Sequence, residues 1–312
     1  MKQGAKAWVR PAMIVVPLAA GAFFPRLAVL ATPPWNAIRY VLMLMVFTSS
    51  LSIDAKALRP RGAHFLLLAA NLAAGVLPFL ALRALFPAHR DFALAAFFCG
   101  IAPSATASPV VIGFLGGDVA YALGGFAVSS AGVLAAMVVL LPWATGAGVT
   151  AGAIASVALS VATTVLLPLA LAMGLRALFP GARDFSKRLS GATFALWAAT
   201  LAILSAMART YLAGNAGAAG MLAGCAGIAL AQCAAGFALG RRFAPAGRET
   251  ECSQLLGQKN TTLALYLALA YATPPAAIAV VCYVFLQNLW NAWEIFRHDR
   301  AGAARGEGKS KT

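Results

Sequence analysis

Leu255-Leu256-Gly257-Gln258-Lys259-Asn260-Thr261-Thr262-Leu263 decides how the rest of the chain is read. A glycine, two amides, a lysine and two hydroxyls stand inside an apolar segment, 249–272, that is long enough to span a bilayer. Hydrocarbon offers an open backbone turn no hydrogen-bond partner, so such a break survives only against protein or a water-filled cavity. A charge at that depth is by default a functional-site candidate. The stretch reads as half of a binding centre, with the other half expected between Ser104 and Pro109.

The surrounding composition agrees with a membrane setting. Of 312 residues, 61% are hydrophobic and only 11% charged, which places the chain among all-α polytopic membrane proteins. No long polar segment remains for a soluble domain. The net charge of +15 sits at the ends of apolar segments and not on a face with interleaved aromatics, which excludes nucleic acid as a partner. Cys99, Cys225, Cys233, Cys252 and Cys282 have neither CxxC nor metal-ligand spacing and read as small apolar residues. His64, His89 and His298 are far apart and offer no metal cluster or nucleophile–base pair, so no catalytic residue is assigned and no enzyme is expected.

Ten spans are predicted near 11–31, 35–53, 62–86, 92–117, 119–142, 152–175, 189–208, 215–239, 249–272 and 274–296. The N-terminus (Lys2, Lys6, Arg10, then an apolar run) imitates a secretory signal but is read as a retained first helix. Termini and even-numbered loops hold 18 of the 24 Lys and Arg, odd loops and flanks hold 5, and Lys259 lies within a span. This bias predicts that both termini are cytoplasmic in a multi-pass inner-membrane protein. Residues 1–297 form one transmembrane domain, and 298–312 a cytoplasmic polar tail expected to be disordered beside anionic lipid. The ten spans divide into two sets of five, about 11–142 and 152–296. Spans four and nine then occupy equivalent positions, which predicts an inverted repeat with the binding site at the paired breaks.

In span four, Pro103 predicts an end to the first half-helix near Ala102, and Ser108-Pro109 predicts a fresh start with serine as N-cap. In span nine, Gly257 ends the first half, and Asn260 or Thr261 caps the second. The half-helix N-termini near Pro109 and Thr261 are expected to favour an anionic group, oriented by Thr106, Ser108, Asn260 and Thr262. Ser104 and Gln258 complete the candidate set. No carboxylate is placed by sequence to pair with Lys259, so its expected partners are the free carbonyls that end the first half-helices. Asn71, Ser129, Ser130, Gln287, Asn288 and Asn291 either line a cavity or pack.

The ten-span plan, the broken fourth span ending in Gly117-Asp118, and Gly257 through Leu263 resemble the bile acid:sodium symporter family. The resemblance implies broken helices 4 and 9 crossing in a core domain beside a panel domain, and sodium-coupled uptake of organic anions such as bile acids or smaller carboxylates. The family's ninth-span Glu-x-Gly-x-Gln-Asn reads Leu255-Leu256-Gly257-Gln258-Lys259-Asn260 here, and its Ser-Asn reads Ser108-Pro109. Ala122 and Phe126 stand where sodium-coupled members carry hydroxyls. Only a degenerate sodium site near Ser108 and Asn260 remains, so no cofactor or metal is assigned. The expected activity is secondary transport of a small organic anion by alternating access. In that reading Lys259 replaces the coupling sodium, and transport is facilitated, exchange or proton-coupled. The alternatives are a cation/proton antiporter of similar architecture and a non-transport receptor or structural protein.

Overall fold

The computed structural model describes residues 16–32, 37–51, 59–105, 107–147, 150–179, 181–214 and 218–309, and among these the chain is helical without a β-strand. Five helices are long and apolar enough to cross a membrane: Gly62–Leu85, Val119–Thr145, Ile154–Leu178, Ala219–Arg242 and Pro274–His298.

Helix α1 (16–23) passes into a 3-10 turn at Pro25–Ala31, where Pro25 cannot donate to the preceding turn. Next come α2 (Ala37–Ser50) and α3 (Gly62–Leu85). The fourth predicted span is two helices, α4 (Arg90–Ile101) and α5 (Ser108–Phe114). Helix α6 (Val119–Thr145) opens on Asp118, whose carboxylate accepts the Tyr121 N–H at 3.0 Å as an N-cap. The sixth span is α7 (Ala151–Val161) and α8 (Leu167–Leu178) joined by a π-helical turn at Ala162–Leu166. Pro168 explains that turn, because it has no N–H for the Thr164 carbonyl and the ladder must widen. Helices α9 (Ala182–Gly214) and α10 (Ala218–Arg242) lead to the ninth span. That span is again two helices, α11 (Glu249–Gly257) and α12 (Thr261–Tyr271). Helix α13 runs from Pro274 to Lys309. The tail expected to be disordered thus continues the last helix: no proline stops it, and Ala301, Ala303 and Ala304 favour helix.

Two glycine contacts bring the interrupted helices against their neighbours. A Cβ on Gly100 of α4 would stand 2.1 Å from the Ala74 carbonyl oxygen of α3. A Cβ on Gly257 would stand 2.3 Å from the Phe237 ring of α10. Small residues permit such approach where hydrocarbon provides no hydrophobic drive between helices. Helices α3 to α6 and α10 to α13 pack into one bundle, while α2, α8, α9 and the Pro25–Ala31 turn pack with one another. The buried cluster centred on Phe79, Phe97, Phe98, Phe237 and Tyr283 fills the first bundle.

Alternate loops gather at opposite ends. At one end Thr273 donates to Asp91 at 2.6 Å, and Arg90 donates to the Ala144 carbonyl at 3.4 Å. At the other, Arg248 pairs with Asp118 at 2.9 Å and Arg241 pairs with Glu294 at 2.6 Å. The second end also holds Arg61, whose guanidinium lies 5.1 Å from the Tyr121 ring centre, and Arg297 beside Arg241.

Candidate functional site

The breaks in spans four and nine meet. Ser104 and Lys259 form an isolated antiparallel bridge, with the Ala105 N–H on the Gln258 carbonyl at 2.9 Å and the Asn260 N–H on the Pro103 carbonyl at 2.7 Å. Each unwound strand thus satisfies the backbone of the other, which a bilayer interior requires. The remaining bridge donors are taken up in matching fashion. The Ser104 N–H donates to Ser129 Oγ on α6 at 2.9 Å, and the Lys259 N–H donates to Gln287 Oε1 on α13 at 2.9 Å. The Gly257 carbonyl accepts from the Tyr283 hydroxyl at 2.8 Å, and the Leu255 carbonyl accepts from Ser104 Oγ.

Lys259 is 2% exposed. Its ammonium donates to Asn71 Oδ1 and, at 2.9 Å, to the Gly100 carbonyl in the last turn of α4. Asn71 Nδ2 in turn donates to the Ile101 and Ala102 carbonyls at 3.1 and 3.0 Å. One amide therefore caps the C-terminal end of α4 and offers its oxygen to the buried amine. The carbonyl partner expected from sequence is present on α4, and Asn71 is the addition. Its signal in the sequence was only an amide within an apolar span.

The other candidates separate by exposure. Ser104, Ser108, Pro109, Gln258 and Thr261 are buried, whereas Asn260 and Thr262 are partly exposed. Thr106 lies outside the described residues. Asn260 caps α12, with Oδ1 accepting the Leu263 N–H at 3.2 Å. Ser108 is not the N-cap of α5; Ala107 holds that position, Ser108 is the first helical residue, and Ser108 Oγ has no partner among the described residues. The N–H groups expected to face an anion are bonded locally. Ser108 donates to Ala105, Val110 to Ala107, and Thr261 to the Lys259 carbonyl at 2.8 Å. Proline at the second position of α5 and these turn contacts leave few free donors at that end.

The residues present do not fit a sodium ion where the family pattern would hold one. Leu255, in place of the glutamate, packs in one cluster with Ile112, Tyr121, Ala122 and Cys252, and Phe126 lies against it. Three of the five departures from the family pattern, Leu255, Ala122 and Phe126, thus share a single apolar cluster. A hard cation needs several oxygens, and Leu255, Ala122 and Phe126 supply none; the one side-chain oxygen of the cluster, the Tyr121 hydroxyl, lies against Cys252 Sγ at 3.6 Å. Among the described residues no group of three His, Cys, Asp or Glu converges as a metal site. The five cysteines are free, and all but the half-buried Cys282 are buried.

The site is thus a buried lysine held where two interrupted helices pair with each other. The family described as Sodium Bile acid symporter family matches residues 40–215, more than half of the chain, and the protein belongs to that family. The match contains Ser104 to Pro109 and ends before Leu255 to Leu263. No curated protein matches the chain. The family is one of membrane transporters rather than enzymes.

Proposed function

We propose that the protein transports a small organic anion by alternating access, and that the Lys259 ammonium stands in place of a coupling cation at the helix crossing. The observation that carries this reading is the ammonium seated on Asn71 Oδ1 and the Gly100 carbonyl. These neutral oxygens would suit a desolvated monovalent cation, and the lysine supplies that charge covalently. The apolar packing of Leu255 with Ala122 supports loss of sodium coupling.

Two matched sets of contacts support an inverted repeat. Helix α3 packs on α4 as α10 packs on α11, and α5 packs on α6 as α12 packs on α13. Ser129 and Gln287 perform the same service for the two bridge residues. In this reading all ten predicted spans cross the bilayer, the bundle of α3 to α6 and α10 to α13 is the core domain, and the remaining helices are the panel. The core moves against the panel around the crossing. The anion is oriented by Asn260 and Thr262, the two candidates left partly exposed. The basic end of the molecule faces the cytoplasm.

The test is uptake of a radiolabelled bile acid and a panel of small carboxylates into proteoliposomes, with and without a sodium gradient. Uptake should be indifferent to sodium and lost in Lys259→Met, with Lys56→Met, between the second and third predicted spans, as the control. Strong sodium dependence of the wild-type protein, or equal uptake by the two variants, overturns the reading.

A further inference from the structure

At the end of the molecule where Arg241 meets Glu294, a cavity of about 230 Å³ is lined by Leu115, Arg241, Thr250, Glu294, Arg297 and His298. It lies away from the helix crossing, and the transport reading does not use it. Its walls come from the turn after α5, the last turn of α10, the start of α11 and the far part of α13. The lining holds two arginines and one carboxylate. That carboxylate is already engaged, accepting from Arg241 at 2.6 Å and from Gln254 Nε2 at 2.7 Å, and it is 6% exposed. Arg241 remains half exposed. Glu249, which lies close enough to feel Arg241, turns its carboxylate back to the Gly247 N–H at 3.2 Å. The lining therefore carries surplus positive charge and donor side chains from three helices: Arg241 on α10, Thr250 on α11 and Arg297 on α13.

Donors arriving from three directions suit a tetrahedral anion better than a planar carboxylate, which one guanidinium fork would saturate. Exposed aromatic residues neighbour Arg297 on α13. Trp293 and Phe296 are 45% and 57% exposed, and the Arg297 guanidinium lies 4.7 Å from the Trp293 ring centre. Exposed indole and basic residues side by side mark the headgroup level of a bilayer, and basic pockets between helices at that level bind lipid phosphates. We propose that this cavity is a binding site for a phosphate group, presented by an anionic lipid headgroup or by free phosphate.

The experiment uses the full-length protein in detergent. Native mass spectrometry would count phosphatidic acid against phosphatidylcholine retained by each molecule, and thermal unfolding would be followed with inorganic phosphate against chloride at equal ionic strength. The wild type should retain phosphatidic acid selectively or be stabilised by phosphate. Arg297→Gln should weaken that binding at least about tenfold, the effect of losing one charge-assisted contact. Thr250→Ala, which touches no ion pair, should weaken it by a smaller factor. Arg242→Gln removes the same charge one residue outside the lining and should change nothing. Lipid retention that phosphate cannot displace identifies the headgroup as the source, and displacement or stabilisation by phosphate alone identifies the free anion; either upholds the site. Equal retention of the two lipids without phosphate stabilisation overturns it, as does an equal loss in Arg242→Gln and Arg297→Gln.

Discussion

Lys259 and Asn71, 188 residues apart in sequence, are joined by a hydrogen bond from the ammonium to the amide oxygen, while the nitrogen of the same amide holds the carbonyls of Ile101 and Ala102. The charge and the end of α4 are thus secured by one side chain. Replacing Asn71 by leucine removes the acceptor and uncaps two carbonyls together. Asn71→Leu should destabilise the protein by about 3 kcal/mol, since hydrogen bonds to charged groups carry about 1.5–3 kcal/mol and the orphaned groups are buried. The Asn71→Leu/Lys259→Met double variant should recover about 1–3 kcal/mol relative to additivity. Thermal unfolding of the four proteins in detergent closes the cycle, and strict additivity would separate the two residues.

Ser129 and Gln287 each receive one bridge N–H, at the same distance of 2.9 Å. Ser129→Ala and Gln287→Leu should therefore cost similar amounts, about 1–3 kcal/mol each, because each leaves a buried donor without a partner. A large difference in unfolding temperature between these variants would speak against equivalent roles for the two halves.

The two close-packed glycines should respond differently to a methyl group. In a helix, alanine is favoured over glycine by about 1 kcal/mol, whereas overpacking costs about 1–3 kcal/mol. At Gly100 the obstacle is the Ala74 backbone, which has no rotamer to change, so Gly100→Ala should be destabilising in any background. At Gly257 the obstacle is the Phe237 ring. Gly257→Ala should be destabilising in the wild type and neutral or better in a Phe237→Ala background.

Asp118 introduces an acid dependence at the loop end. The Tyr121 N–H, helped by Arg248, holds its carboxyl below the ordinary value of about 4. A depressed carboxyl contributes stability that is complete above the unfolded value and lost as pH falls through the folded one. Asp118→Asn keeps the cap but loses the charge. It should cost less than about 1 kcal/mol above pH 5, for an ion pair that is partly exposed, and nothing once the acid form prevails. Unfolding profiles of the two proteins should converge as pH falls below about 4; a constant offset would assign the effect elsewhere.

The interruptions were legible because they are written in local backbone chemistry. Pro103 cannot donate, Gly257 tolerates the stop, and Asn260 caps the next helix, so α4, α11 and α12 end or start where their residues require. Ser108 lies one position inside the helix it is expected to cap, because the Ala105 and Ala107 carbonyls accept the first N–H groups of α5. The π turn in the sixth span needed attention to Pro168 and the carbonyl four residues before it. Partners set by tertiary crossing were not legible: Asn71, Ser129 and Gln287 look like any single polar residue in an apolar span. Nor could the sequence tell that Leu255, Ala122 and Phe126 share one volume, although each departure was visible by itself.

The Ser104–Lys259 joint is made by main-chain atoms. Amide groups are common to every residue except proline, so the joint places little demand on which side chains surround it. Side chains at positions such as 255 and 259 can therefore differ without undoing that pairing. A joint built this way lets the side chains around it diverge while the backbone pairing stays the same.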